Sequence, residues 1–184
     1  MSLLKKIAGI VLGLVAIVFS VGFLLPSTVH VEREVLVNAQ PEEVFALVSN
    51  FNAWDVWSPW AKLDPDAKME IIGSGVGQTM FWSSENPDVG EGSQVIVNLE
   101  SPRYLETHLN FGDRGVANAS FTLTPENEAT QVVWSFDTDM REGVPLFLQP
   151  VTTYLGFLMD SMVGEDYEIG LQNLKNAAET QSAS

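Results

Sequence analysis

The chain has 184 residues, nine Lys or Arg against 24 Asp or Glu, a net charge of −15 and no cysteine. That length suits one domain with a real core plus an appendage, and the missing cysteines exclude disulfides and thiolate zinc sites. Lys5 and Lys6 supply two of the nine cations, so from Pro26 onward seven basic residues face 24 acidic ones, a net of −17. A domain this acidic repels phosphate, and no nucleic-acid partner is expected.

Residues 7–25 read IAGIVLGLVAIVFSVGFLL, 19 residues without a charge. As a helix they span roughly 28 Å, close to the hydrocarbon thickness of a bilayer. Lys5 and Lys6 precede the run, Pro26 follows it, and the next cation is Arg33. The expectation is an uncleaved single-pass anchor over residues 1–26, its N-terminus cytoplasmic and everything after Pro26 extracytoplasmic in the cell (inner) membrane, the periplasmic side. A signal peptide cut near Ser20 or Gly22 is the competing reading. Gly9 and Gly13 form a G-x-x-x-G that suits a weak homodimer.

The stretch VHVEREVLVN (29–38) alternates, with Val29, Val31, Val35 and Val37 on one face and Arg33 interrupting them, which predicts a half-buried strand. Pro41, Glu42 and Glu43 open a short helix over about 41–50. WDVWSPW (54–60) follows, three of the five tryptophans within seven residues, as a further helical turn ended by Pro59. Six strands are then predicted at 68–73, 78–84, 93–100, 104–111, 116–124 and 130–138. Gly-, Pro-, Asn- and Asp-rich spacers favour antiparallel hairpins between them. Pro145 and Pro150 begin a helical region that runs to about 179, with an apolar stripe including Leu155, Leu158, Met159, Met162, Tyr167 and Leu171. Residues 180–184 form a frayed tail.

The order is strand, two short helices, six strands, long helix. A curved antiparallel sheet must cover its apolar face, and the C-terminal helix is the element long enough to do so. The stretches VHVEREVLVNAQPEEVFALVSNFNAWDVWSPWAKLDP (29–65), GVGQTMFWSS (75–84), LESPRYLETHLNF (99–111) and YEIGLQNLK (167–175) resemble the START-like or SRPBCC superfamily. The nearest likeness is to its bacterial polyketide cyclase/dehydrase-like branch. The resemblance covers roughly 29–179 and implies an α+β helix-grip fold over 27–179, with about seven strands around the long helix and a cavity between them. It implies a hydrophobic small molecule or lipid as ligand. Trp54, Trp57, Trp60, Trp82 and Trp134 would face that cavity, with Leu155, Met159 and Met162 from the helix. For the tryptophan segment, core filling and membrane contact stay open beside the pocket wall.

Catalytic residue patterns are scarce. There is no nucleophile elbow, and His30 and His108 are the only histidines, on separate predicted strands. Nothing has metal-ligand spacing, and neither metal nor cofactor is expected. Tyr104, Glu106 and His108 share one strand face. That face is either solvated or lines the cavity, where His108 and Glu106 would move a proton. Arg103 and Arg114 sit in turns, as surface cations or as anchors for an acidic ligand group at a pocket mouth. The functional expectation is a membrane-anchored binder of a hydrophobic molecule. A cyclase or dehydratase and a protein-interaction module are the alternatives.

Overall fold

A computed structural model describes residues 3–182 apart from 63, 65 and 88; the last two residues of the expected tail, and the first two of the expected anchor, lie outside the described residues. Helix α1 (Leu3–Leu24) leads into strand β1 (Thr28–Val37), then helix α2 (Pro41–Val48) and two 3₁₀ turns (Phe51–Val56 and Pro59–Lys62). Strands β2 (Lys68–Ile72), β3 (Thr79–Ser83), β4 (Glu91–Glu100), β5 (Tyr104–Asn110), β6 (Val116–Glu126) and β7 (Ala129–Asp139) follow. Helix α3 (Gln149–Leu155), a 3₁₀ turn at Gly156–Leu158 and helix α4 (Met159–Ser182) complete the chain. The predicted C-terminal helix is thus two helices. The break falls at Gly156, where a β-carbon would lie 3.0 Å from the Val29 side chain and 3.1 Å from that of Met140.

The seven strands form one sheet in the order β1-β7-β6-β5-β4-β3-β2, every neighbouring pair antiparallel. The register puts Val31 beside Phe136, Arg33 beside Trp134 and Val35 beside Val132, then Trp134 beside Phe121 and Phe121 beside Leu105. Since side chains alternate along a strand, these residues share the concave face, and α4 lies across it. Tyr167, Leu171, Leu174 and Ala178 of α4 are all buried there. Val44, Phe45, Leu47 and Val48 of α2 close one end of the same core.

Arg33, the interruption in the β1 alternation, faces inward. Its Nε donates to Glu168 Oε1 at 2.7 Å and its Nη1 to Asp160 Oδ1 at 3.0 Å, fastening the start of α4 to β1. Gly164 makes the room, because a β-carbon there would meet the guanidinium. At its other end α4 is held by Glu179, which accepts from the Asn38 backbone and side-chain amides, and by Lys175, which donates to the Leu36 carbonyl.

Gly170 sets how closely α4 approaches the sheet. A β-carbon there would lie 2.7 Å from Trp134 Cζ3 and 3.0 Å from Pro59 Cδ. Both groups are rigid and packed, unlike the flexible Arg33 head. Gly170→Ala gains about 1 kcal/mol of helix propensity but overpacks the core at a cost of about 1–3 kcal/mol. Chemical denaturation in detergent is expected to show net destabilisation, with a smaller loss for Gly164→Ala.

Candidate functional site

The tryptophan segment is positioned by α2. The last carbonyls of a helix have no partner within it, and here two indoles supply one. Trp54 Nε1 donates to Val48 O at 2.9 Å and Trp57 Nε1 to Leu47 O at 3.0 Å. Gln78, 2% exposed, holds the turn from the sheet side by accepting from the Phe51 amide and donating to Asn50 Oδ1. Asn173 of α4 donates to the Trp57 carbonyl, and Trp60 Nε1 reaches Asp166 Oδ2 at 3.3 Å.

Held in this way, the rings converge in the grip. Trp134 is stacked between Phe121, with centroids 4.8 Å apart, and Tyr167, 3.7 Å away and nearly parallel to it. Trp54, Trp57 and Trp60 meet Trp134 edge-on at 6.5, 5.5 and 5.7 Å. The interior between sheet and helix is therefore occupied by the protein's own aromatic side chains, where the sequence reading expected a cavity. Two open grooves lie on the outside. One lies by Val56, Asn173 and Thr180, the other by Phe81, Trp82 and Gly92.

One polar atom in the cluster lacks a partner. Trp134 is 1% exposed, and its Nε1 is a buried donor with no acceptor among the described residues. Such a donor costs about 1–3 kcal/mol unless a water or ligand meets it. Burial also pushes the Tyr167 hydroxyl pKa well up, with a smaller push from Asp137, so it stays protonated.

The structure brings together Trp54, Trp57, Trp60 and Trp134, and sets Met159 against the same core. Trp82, at the far end of the sheet, also packs against that core, edge-on to Phe111 and over Gly92, away from the other four tryptophan rings. Leu155 and Met162 point outward, 50% and 65% exposed. His108, Glu106 and Tyr104 lie on the convex face, opposite Asn118, Ser120 and Thr122 of β6, and His108 Nδ1 is 2.9 Å from Asn118 Oδ1. Partial burial, then the Glu106 charge, raises the Tyr104 pKa. Arg114 lies over Gly90 and donates to the Pro87 carbonyl, while Arg103 is exposed in its turn. The cation on the concave face is Arg33, which the sequence marked only as an irregularity. Phe121, Tyr167 and Gln78 were also missed. Phe121 and Tyr167 read as ordinary apolar positions, and nothing local marks Gln78 as buried.

Residues 28–179 match the family described as polyketide cyclase / dehydrase and lipid transport. The chain belongs to that family. No curated protein matches it. Solved structures share its fold. A protein of unknown function from Staphylococcus aureus is 16% identical, with a TM-score of 0.61 over 85% of this chain and 97% of its own. Ara h 8.0201 is 14% identical, with a TM-score of 0.57 over 83% of this chain and 99% of its own. Truncated norcoclaurine synthase from Thalictrum flavum is 18% identical, with a TM-score of 0.50 over 73% and 91%. At these identities the likeness establishes the helix-grip architecture, and what this member does must be argued from its own site.

Two measurements bear on this site and its surroundings. Trp57→Phe strands the Leu47 carbonyl, whereas Trp134→Phe deletes a donor that had no acceptor. The first substitution is expected to destabilise more, by about 1–2 kcal/mol, in matched denaturation curves. On the convex face His30 Nδ1 lies 2.7 Å from Asp137 Oδ1, and this hydrogen bond is the main reason the His30 pKa is raised. A raised pKa in the folded state stabilises below the unfolded value of 6.5 and loses that contribution as pH climbs through the raised value. Both side chains are more than half exposed, so screening keeps the effect small. At low salt the melting temperature is expected to fall slightly between about pH 6 and pH 8, and Asp137→Asn should remove that part of the slope.

Proposed function

We propose that this family member is a membrane-anchored protein that binds a hydrophobic small molecule or lipid within the grip, with the tryptophans of residues 54–60 as walls that part to admit it. The observation that carries the reading is Trp134 Nε1, a buried donor without an acceptor among the described residues, inside an aromatic enclosure. Such a lining suits a flat or extended apolar molecule with one acceptor, such as a lipid ester, a quinone or a polyketide-like ring carbonyl. The family's description, with its lipid transport, agrees with this class.

The anchor is supported by how α1 meets the domain. An apolar stretch at Lys5–Leu24, 20 residues with a mean hydropathy of 2.7, is 6% buried. Arg141 Nη2 donates to the carbonyls of Gly22 and Leu25 at 2.8 Å each, so a domain cation caps the end of α1. Cleavage near Ser20 or Gly22 would destroy that arrangement. With Lys5 and Lys6 on the cytoplasmic side, the domain lies outside the inner membrane. Around Gly9 and Gly13 the surface of α1 is bare, with nothing within 4 Å of either β-carbon position, which leaves room for a weak homodimer.

A second reading is favoured by the filled grip. A core closed by its own side chains suits a protein-interaction module. A cyclase or dehydratase has less support, because Tyr104, Glu106 and His108 face away from the grip. Native mass spectrometry of the full-length chain, released from mild detergent and paired with lipid extraction, separates these readings. A near-stoichiometric apolar molecule is expected with the wild type. Its occupancy should fall several-fold in Trp60→Ala and in Trp134→Phe, which keeps a ring but removes the donor. A clean apo mass for the wild type would overturn the binding reading in favour of the interaction module.

A further inference from the structure

Helix α3 lies against the end of α1. Gly22 packs on Pro150, where a β-carbon would approach to 2.7 Å, and four residues on in α3 the Tyr154 hydroxyl donates to the Val18 carbonyl at 2.7 Å, four residues back in α1. Arg141 joins the two helices, donating to Thr153 Oγ1 as well as to Gly22 O and Leu25 O. Val18 lies six residues before the end of α1 at Leu24, so Tyr154 stands about 9 Å down the helix from that end.

The chain from Val144 to Met159 carries no charged residue, although the domain around it is strongly acidic. Its apolar side chains are bare: Leu146 is 69% exposed, Phe147 67% and Phe157 66%, with Val151, Leu155 and Leu158 each at half or more. An exposed patch of this kind marks an interaction surface. Its occupant follows from its place. Pro150 and Tyr154 set it beside the last turns of α1, at Gly22 and Val18, so the medium around those turns also reaches α3.

We propose that the segment 144–158 is a second membrane-contacting element, lying in the interfacial layer of the leaflet that α1 leaves, with the bare side chains of Leu146, Phe147 and Phe157 against lipid. A depth of about 9 Å matches that of interfacial helices, which bury an apolar face roughly 5–10 Å into the headgroup and acyl boundary. The domain's net charge makes the contact hydrophobic rather than electrostatic, so zwitterionic lipid suffices. This inference rests on the reading of α1 as a membrane anchor.

Because the chain has no cysteine, single spin labels can be placed by Phe147→Cys and Phe157→Cys, with Ile10→Cys in α1 and Val97→Cys on the sheet as references. All four residues are exposed, so each variant should fold. The full-length protein is reconstituted in phosphatidylcholine vesicles, and the accessibility of each label to oxygen, which concentrates in lipid, is compared with that to a water-soluble nickel chelate. The oxygen-to-nickel ratio at 147 and 157 is expected several-fold above that at 97 and close to that at 10. A high ratio at 10 with ratios at 147 and 157 equal to that at 97 would overturn the proposal while leaving the anchor intact. Low ratios at all four sites would remove both. Exclusion of both reagents at 157, with spin–spin broadening, would mean that a second copy covers the patch, and the proposal would fail.

Discussion

Everything in this fold depends on how closely α4 can lie on the sheet, and a missing side chain decides that. At Gly170 the helix backbone rests against Trp134 and Pro59 with no space for a β-carbon. That contact lets Tyr167, one helical turn earlier, stack on Trp134 while Phe121 closes the other face of the indole. Each such ring removes about 150–250 Å² from water, which outweighs the roughly 1 kcal/mol that an interior glycine costs its helix. Gly164 repeats the device for a charged group, seating Arg33 between Asp160 and Glu168. A broad sheet with one apolar face thereby obtains a cover from a single helix.

The tryptophan segment serves two local purposes together, and this explains its density. Trp54 and Trp57 cap the carbonyls that α2 leaves unpaired and also fill the space those carbonyls border. A leucine at either position would fill without capping, and a serine would cap without filling. The same economy would make the grip tense under the proposed binding function. Its walls are already hydrogen-bonded and stacked, except at Trp134 Nε1. A ligand entering there would gain the unmet donor and would have to displace edge contacts rather than the capping bonds.

The sequence made most of the architecture legible. Alternation in 29–38 located β1, and the six later strands fall within two residues of where turn residues placed them at every end. The order of elements pointed to the grip. Other features escaped for physical reasons. Arg33 was visible as a break in an apolar face, but its partners stand 127 and 135 residues away, and no local pattern encodes such a pairing. Helical periodicity marked Leu155 and Met162 as wanting an apolar neighbour without saying which medium provides it. Both turned out exposed, Leu155 in the helix beside α1. The polar alternation of Tyr104, Glu106 and His108 left two faces open, and only the register with β6 sets them on the convex side.

Only Leu25, Pro26 and Ser27 separate the end of α1 from the start of β1, a length of about 10 Å even when fully stretched. Arg141, just past the end of β7, and Tyr154 of α3 then clasp the helix. The joint therefore has no swivel. Helix α1, roughly 33 Å long at its standard rise, acts as a lever fixed to the sheet, so any change in the tilt of α1 turns the sheet through the same angle.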